Sequence, residues 1–433
     1  MCLKKTSTPF RVCSGTFHCF HTGNTHSRKA LSQDYRLQMA SRITSSLKPS
    51  ENPPATKRIT SSSTRENALQ QAIQGLTHIP APPSSLTHIR VENLVGFTHV
   101  PLGLAGPLTI HGSRQQGTFF APLATVEPTL VASCSRGCKA FQMSGGIHVE
   151  ALAEGMSRAP AFRFGSVKEA VAFHKLVPTL EAQFCASAEA TSRYAKLLRV
   201  TSAIIGTTVH VKFVYSCGDA AGQNMVTLAT HAACNAFLQS EAADKAGIVQ
   251  WQIDGQMSSD KKASWGNVFG PRGVEVIAWG TLTSEACRKV LGIETRALYR
   301  AIMTLQEGGI RNGQSGSNVN TANVVAAMFI ACGQDVASVF ESGWSQLTAE
   351  LKEWTGELTL SVYIPSLLVG TVGGGTGYAT QKEALGMLGC AGPGQKWKLA
   401  ETIAAFCLAL DVSTISAIGN DSFAAGHKKL ARL

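Results

Sequence analysis

Residues 92–108 read ENLVGFTHVPLGLAGPL, and residues 121–146 read APLATVEPTLVASCSRGCKAFQMSGG. Between Glu92 and Gly146 the one further acidic residue is Glu127, set in a long and mostly apolar segment. Gly137, Gly145 and Gly146 bracket a helix expected after Glu127. Flanked by Val126, Leu130 and Val131, the Glu127 carboxyl would have its ionised form penalised by desolvation. Its pKa would then rise toward the range of a proton donor at neutral pH. On this pattern alone, a half-solvated carboxylate beside a helix is an equal reading.

Outward from that segment, Val209 to Tyr215 and Val274 to Gly280 alternate as strands do. Ala151 to Met156 and Thr179 to Leu198 read as helices, and Val319 to Cys332 is apolar enough for a buried helix. Helices mixed with antiparallel strands give an α+β fold. Residues 66–91 hold one short helical candidate, Glu66 to Leu76, and a Pro-rich turn at IPAPPSS. Residues 1–65 are rich in Ser, Thr, Lys and Arg and are expected to be a disordered basic tail of transit-peptide type.

A chain of 433 residues, 44% hydrophobic and 15% charged, fits a compact enzyme of two or three domains. No apolar run approaches the roughly 20 residues that cross a bilayer, so the expectation is a soluble chain with no membrane span. The net charge is +11, but residues 1–67 carry eleven Lys or Arg against three acids, which supplies +8 of it. With no zinc finger, RNP motif or aromatic-interleaved basic stripe, nucleic acid is excluded as a partner. Twelve cysteines are scattered through apolar segments without a CxxC pair, which reads as reduced thiols and no metal site.

Six motifs carry a resemblance: the ENLVG…PLGLAGPL run, VEPTLVAS with SRGCK, CGDAAGQN from Cys217, SDKK from Ser259, IACGQD from Ile330, and PSLLVGTVGGGT from Pro365. In that order and spacing, the chain from about Glu92 onward resembles the catalytic portion of 3-hydroxy-3-methylglutaryl-coenzyme A reductases of the eukaryotic class. The resemblance implies a helical large domain over 92–158 and 253–433. A ferredoxin-like small dinucleotide-binding domain would be inserted over 159–252. It implies NADPH as cofactor, hydroxymethylglutaryl-CoA or a related acyl-CoA as substrate, and a homodimer or dimer-based tetramer. The chain would lack the N-terminal membrane region of those relatives and be shortened at its C-terminus.

Reducing a thioester to an alcohol needs two hydrides, a cation facing the developing alkoxide, and donors for the thiol and the product hydroxyl. The resemblance gives Glu127, Lys261 and Asp335 these catalytic roles, coupled as one network. It gives Ser192, Arg193, Asp219, Asn224, Gly373, Gly374 and Gly375 to the cofactor, with Arg193 at the 2′-phosphate. Arg136, Arg158, Lys262 and Asn323 fall to the acyl-CoA. A low-activity acyl-CoA-binding relative, or an enzyme that stops at the aldehyde or hydrolyses the thioester, is the alternative.

Departures accompany the matches. Asp254 stands where the family has serine and would place a carboxylate near an anionic substrate. Asn320 replaces a family histidine, and a family lysine that meets the substrate carboxylate falls near Met303. The family's catalytic histidine falls at Arg432, five residues past His427; a shifted gap would give the role to His427. The final Ala431-Arg432-Leu433 has the chemistry of a peroxisomal terminus, with mitochondrion or cytosol as the other addresses.

Overall fold

The computed structural model describes residues 89–430 continuously, with positions 67, 70–79, 81, 82 and 87 before them. The basic tail, Glu66, much of the Pro-rich turn and the terminal Ala431-Arg432-Leu433 lie outside the described residues. The chain forms one unit of Met1–Pro83 with Asn93–Gly96 and a second of Ser84–Glu92 with Phe97–Leu433. The second carries everything below.

Ten strands form its sheet. β1 (Leu102–Gly112) and β2 (Gln116–Ala124) make a hairpin, β3 (Ile147–Arg158) follows, and β8 (Gly273–Leu282), β10 (Glu357–Leu367) and β9 (Gln346–Lys352) complete the larger part. The smaller part holds β4 (Ala161–Phe164), β5 (Lys196–Ile205), β6 (Thr208–Ser216) and β7 (Ile248–Gln252), with β6 paired to β5, β4 and the end of β3. The strands expected at 209–215 and 274–280 are thus the centres of β6 and β8.

Ala151 to Met156, expected to be helical, lies inside β3. That strand pairs with β8 along His148–Gly155 and then with β6 from Met156 to Arg158. Its Ala-, Leu- and Glu-rich sequence has helix propensity, but two flanking strands satisfy its backbone and override it. Thr179 to Leu198 also divides. A 3-10 turn ends at Leu180, a helix covers Glu181–Glu189, and β5 starts at Lys196. Glu189 ends that helix by accepting Leu197 N at 3.0 Å and Lys196 Nζ at 2.7 Å.

The larger core lies between the sheet and helices that include α1 (Leu130–Met143), α2 (Thr321–Ala331) and α3 (Lys396–Gly419). The smaller core is built on Phe162, Phe173, Phe184, Phe213 and Phe237, whose neighbouring ring centroids are 5.0–6.3 Å apart. The expectation that no apolar run reaches membrane-spanning length needs correction. The 24-residue α3 has an 18-residue window of mean hydropathy 1.7, and 89% of that window is buried inside the unit. It is apolar all round because protein surrounds it. α1 crosses it at Gly137, where a Cβ would stand 1.8 Å from Ala409 O.

Candidate active site

The loop from Asp254 to Lys262 holds three non-glycine residues in the left-handed region, Gln256, Ser259 and Lys261, at φ 72°, 56° and 55°. Each costs on the order of 1 kcal/mol or more and persists only where its surroundings hold it. Asn267 Nδ2 donates to Lys262 O at 2.8 Å and to Ser259 O at 3.3 Å, and Ser264 Oγ donates to Ser259 Oγ at 2.6 Å. The loop presents the Lys261 ammonium to Asp335 Oδ2 at 3.0 Å. Burial alone would raise the Asp335 carboxyl, but hydrogen bonds from Lys261 and Gln223 outweigh it and hold the group below its ordinary value. Asp335 is therefore an anion at neutral pH, and it faces the Lys261 nitrogen directly.

Under the loop lies Arg272, fully buried. Nη1 donates to Ser157 O at 2.8 Å, Nη2 to Asp260 Oδ1 at 2.6 Å, and Nε lies 3.5 Å from Glu341 Oε1. The row continues through Asp260 to Arg158 at 3.4 Å and on to Asp254 at 2.8 Å. Sequence reasoning gave Arg272 no role. Its signal was an arginine inside FGPRGV, with no acid beside it, at the start of a buried strand. Asp254, expected to place a carboxylate near an anionic substrate, is ion-paired to Arg158.

Three motifs far apart in sequence meet beside Asp335, the partner of Lys261. Asp219 O accepts from Thr371 N at 2.8 Å and Val372 N at 3.3 Å, and Gln334 Oε1 accepts from Gly370 N at 2.8 Å. A Cβ on Gly333 would stand 2.4 Å from Gly375 O, so those two loops touch backbone to backbone. Gln223, beside Asn224 in the first turn of the helix Gln223–Leu238, donates to Ser338 Oγ at 3.1 Å. CGDAAGQN, IACGQD and VGTVGGGT are thus one surface. The three glycines divide in use: Gly373 and Gly374 have φ of 77° and 54° and nothing within 4 Å of a Cβ, whereas Gly375 packs on Gly333.

Asp219 Oδ1 also accepts Lys396 N at 3.3 Å, at the start of α3. Lys396, passed over in the sequence, is buried with Nζ on Glu154 Oε2 at 2.8 Å and Gly218 O at 3.1 Å. Ser192 and Arg193 sit in the turn before β5. Ser192 Oγ accepts Tyr194 N at 3.2 Å, and the exposed Arg193 guanidinium lies 4.7 Å from the Tyr194 ring centre. Among the described residues no hydrogen bond or ion pair joins that turn to the glycine loop. Burial pushes the thiols of Cys287, Cys332 and Cys390 up to about 12, which removes them as nucleophiles.

Glu127 stands elsewhere. Val126 beside it is 83% exposed, so the expected apolar box is not built. Asn323 Nδ2 on α2 donates to Glu127 Oε2 at 2.8 Å, and Thr129 Oγ1 to Oε1 at 3.4 Å. Among the described residues no hydrogen bond or ion pair ties Glu127 to Lys261 or Asp335. The expected three-membered network is therefore two pairs, Lys261–Asp335 and Glu127–Asn323.

Glu127 lines a cavity of about 290 Å³ with Arg136, Asn320, Thr414, Phe423 and His427. Arg136 donates from Nε to Ser413 Oγ at 3.0 Å and from Nη2 to Ser413 O at 2.6 Å. The buried Asp411 accepts Asn320 N at 2.6 Å and Val319 N at 3.4 Å, fixing the start of α2 and so the approach of Asn323. His427, on the terminal helix Phe423–Leu430, packs edge-on to Phe423 at 4.6 Å. Met303 lines a different cavity, with Gln306 and Leu347.

Fold and site together define an α+β protein in which glycine-rich loops adjoin a Lys261–Asp335 pair. The family model "Hydroxymethylglutaryl-coenzyme A reductase" matches residues 57–432, and the chain belongs to that family. The 3-hydroxy-3-methylglutaryl-coenzyme A reductase of Methanocaldococcus jannaschii is 36% identical over 346 residues, covering 79% of this chain and 84% of the relative. That of Haloferax volcanii is 38% identical over 357 residues, covering 81% and 87%. The Nicotiana sylvestris reductase is 36% identical over 384 residues, covering 86% of this chain and 62% of the plant protein. Among solved structures, the class II 3-hydroxy-3-methylglutaryl-CoA reductase from Streptococcus pneumoniae bound to NADPH has the same fold, with TM-score 0.62 and 18% identity over 90% of this chain and 98% of that one.

Proposed function

We propose that this chain reduces the thioester of hydroxymethylglutaryl-CoA to mevalonate and free CoA with two molecules of NADPH. The observation that carries this is the meeting of three distant loops beside Asp335, the partner of Lys261. Gly373 and Gly374 leave open backbone there, beside a helix N-terminus capped by Gly222 at φ 90°, a setting that suits a pyrophosphate. Asp219, Asn224 and the glycines would hold the cofactor body, with Ser192 and Arg193 at the 2′-phosphate. NADPH, when bound, supplies hydride to the thioester carbon and then to the aldehyde carbon.

The Lys261 ammonium faces the substrate carbonyl oxygen, where a preorganised donor contributes about 3 kcal/mol as charge develops. Asp335, ion-paired to it at 3.0 Å, holds the Lys261 nitrogen in place. Glu127, oriented by Asn323, hands a proton to the product oxygen, while Arg136, Arg158 and Lys262 hold the acyl-CoA. His427 protonates the departing thiolate; it is supported by sharing the Glu127 cavity, whereas Arg432 lies outside the described residues. A homodimer, as in the reductases this chain resembles, would let two copies complete each site. Lys261→Met should abolish NADPH oxidation while leaving NADPH affinity within a few-fold. Turnover within a few-fold of the parent contradicts the assignment.

A further inference from the structure

Asp254 Oδ1 accepts Gln256 N at 2.6 Å, while Oδ2 accepts Ser258 Oγ at 2.6 Å and Arg158 Nη1 at 2.8 Å. Arg158 is 12% exposed and Asp254 20% in their side chains, so the pair is shielded from water and from salt. Asp260 Oδ2 stands 3.4 Å from the same Nη1, and Arg158 Nε is buried without a partner. Two carboxylates therefore converge on one nitrogen of the guanidinium. An arginine recognises a ligand carboxylate through donors left free and charge left uncancelled. Along Asp254, Arg158, Asp260, Arg272 and Glu341, three carboxyl groups already meet the two guanidiniums before any ligand arrives. That leaves the exposed Lys262, whose Nζ donates to Asp260 O at 3.0 Å.

We infer that Asp254 sets acyl-chain specificity. By holding Arg158 it removes the advantage of an acyl tail ending in a carboxylate. The site then takes 3-hydroxyacyl-CoA thioesters with uncharged tails alongside hydroxymethylglutaryl-CoA. This rests on Arg158 facing the acyl group, as proposed above.

The test is calorimetric binding of hydroxymethylglutaryl-CoA and of 3-hydroxy-3-methylbutyryl-CoA, which lacks only the terminal carboxylate. In the parent the two Kd values should agree within about threefold. Asp254→Asn keeps an acceptor for Gln256 N but discards the charge. It should tighten hydroxymethylglutaryl-CoA about tenfold or more, the worth of one hydrogen bond to a charged group, and shift the neutral analogue less than about twofold. Asp254→Ser should act in the same direction, and thermal unfolding verifies that each variant is folded. A parent that prefers the carboxylate ligand by more than about tenfold overturns the inference without any variant. Failure to bind either thioester, or a ratio unmoved by both substitutions, overturns it as well. Specificity shifts without NADPH oxidation leave it standing and reject the reductase assignment; NADPH oxidation with an unmoved ratio does the reverse.

Discussion

Asp411 is completely buried on α3, and burial pushes its carboxyl up to about 7 against the pull of the Asn320 and Val319 N–H groups. A folded-state pKa above the unfolded value means that the folded chain binds the proton more tightly. Its stabilisation is full below the ordinary value of 3.8 and is lost as pH rises through about 7. Glu401 and Glu341, also raised chiefly by burial, act with the same sign. Unfolding free energy should therefore fall between about pH 4 and 7, with Asp411 alone contributing up to about 4 kcal/mol. Asp411→Asn should flatten that decline in denaturant titrations at several pH values; an unchanged slope contradicts the assignment. At His427 the expectation is kinetic. His427→Ala should lower thioester reduction about 100-fold or more, as loss of a general acid does. It should spare reduction of the free aldehyde, from which no thiolate departs. Equal loss on both substrates contradicts the role.

Among elements, the α1–α3 crossing holds the two halves of the Glu127 cavity, since Arg136 comes from α1 and Thr414 from α3. Gly137→Ala would drive a methyl onto Ala409 O, a backbone atom that cannot turn aside. It should destabilise the fold by about 3 kcal/mol or more, read as a lowered Tm; a melting curve matching the parent's would show that the helices separate freely. Gly137 was legible only as the punctuation of a helix, because its contact is 272 residues away in sequence. β3 was misread for a related reason. Its alternation is blurred by a register shift between Ala151 and Ala153 and by an apolar Leu152 on the exposed face, and its partners β8 and β6 lie far along the chain. β6 and β8 were legible because their apolar residues alternate as a strand's do, and α2 because its apolar run is continuous. The length of α3 was missed because Lys398, Glu401 and Asp411 interrupt an otherwise apolar run, and nothing local shows that Glu401 is met by Gln115 N at 2.6 Å.

At the scale of the molecule, the motifs named candidate site residues, and the fold shows which of them meet. Lys261 and Asp335 were expected together and meet. Glu127 was expected with them and meets Asn323 instead, since sequence order carries no information on which loops face one another. Asp254 was legible as a departure, yet its ion pair with Arg158 needed the strand and the loop brought side by side. Arg272 and Lys396 were not legible as site residues, because each is buried against acids that the fold brings to it. The central claim is that these groups serve one complete four-electron reduction. It is tested most directly by incubating the purified chain with hydroxymethylglutaryl-CoA and NADPH and counting both products. Two NADPH oxidised for each CoA released, with mevalonate formed in equal amount to CoA, is the expected result. One NADPH per CoA, or CoA released without NADPH oxidation, would contradict the account.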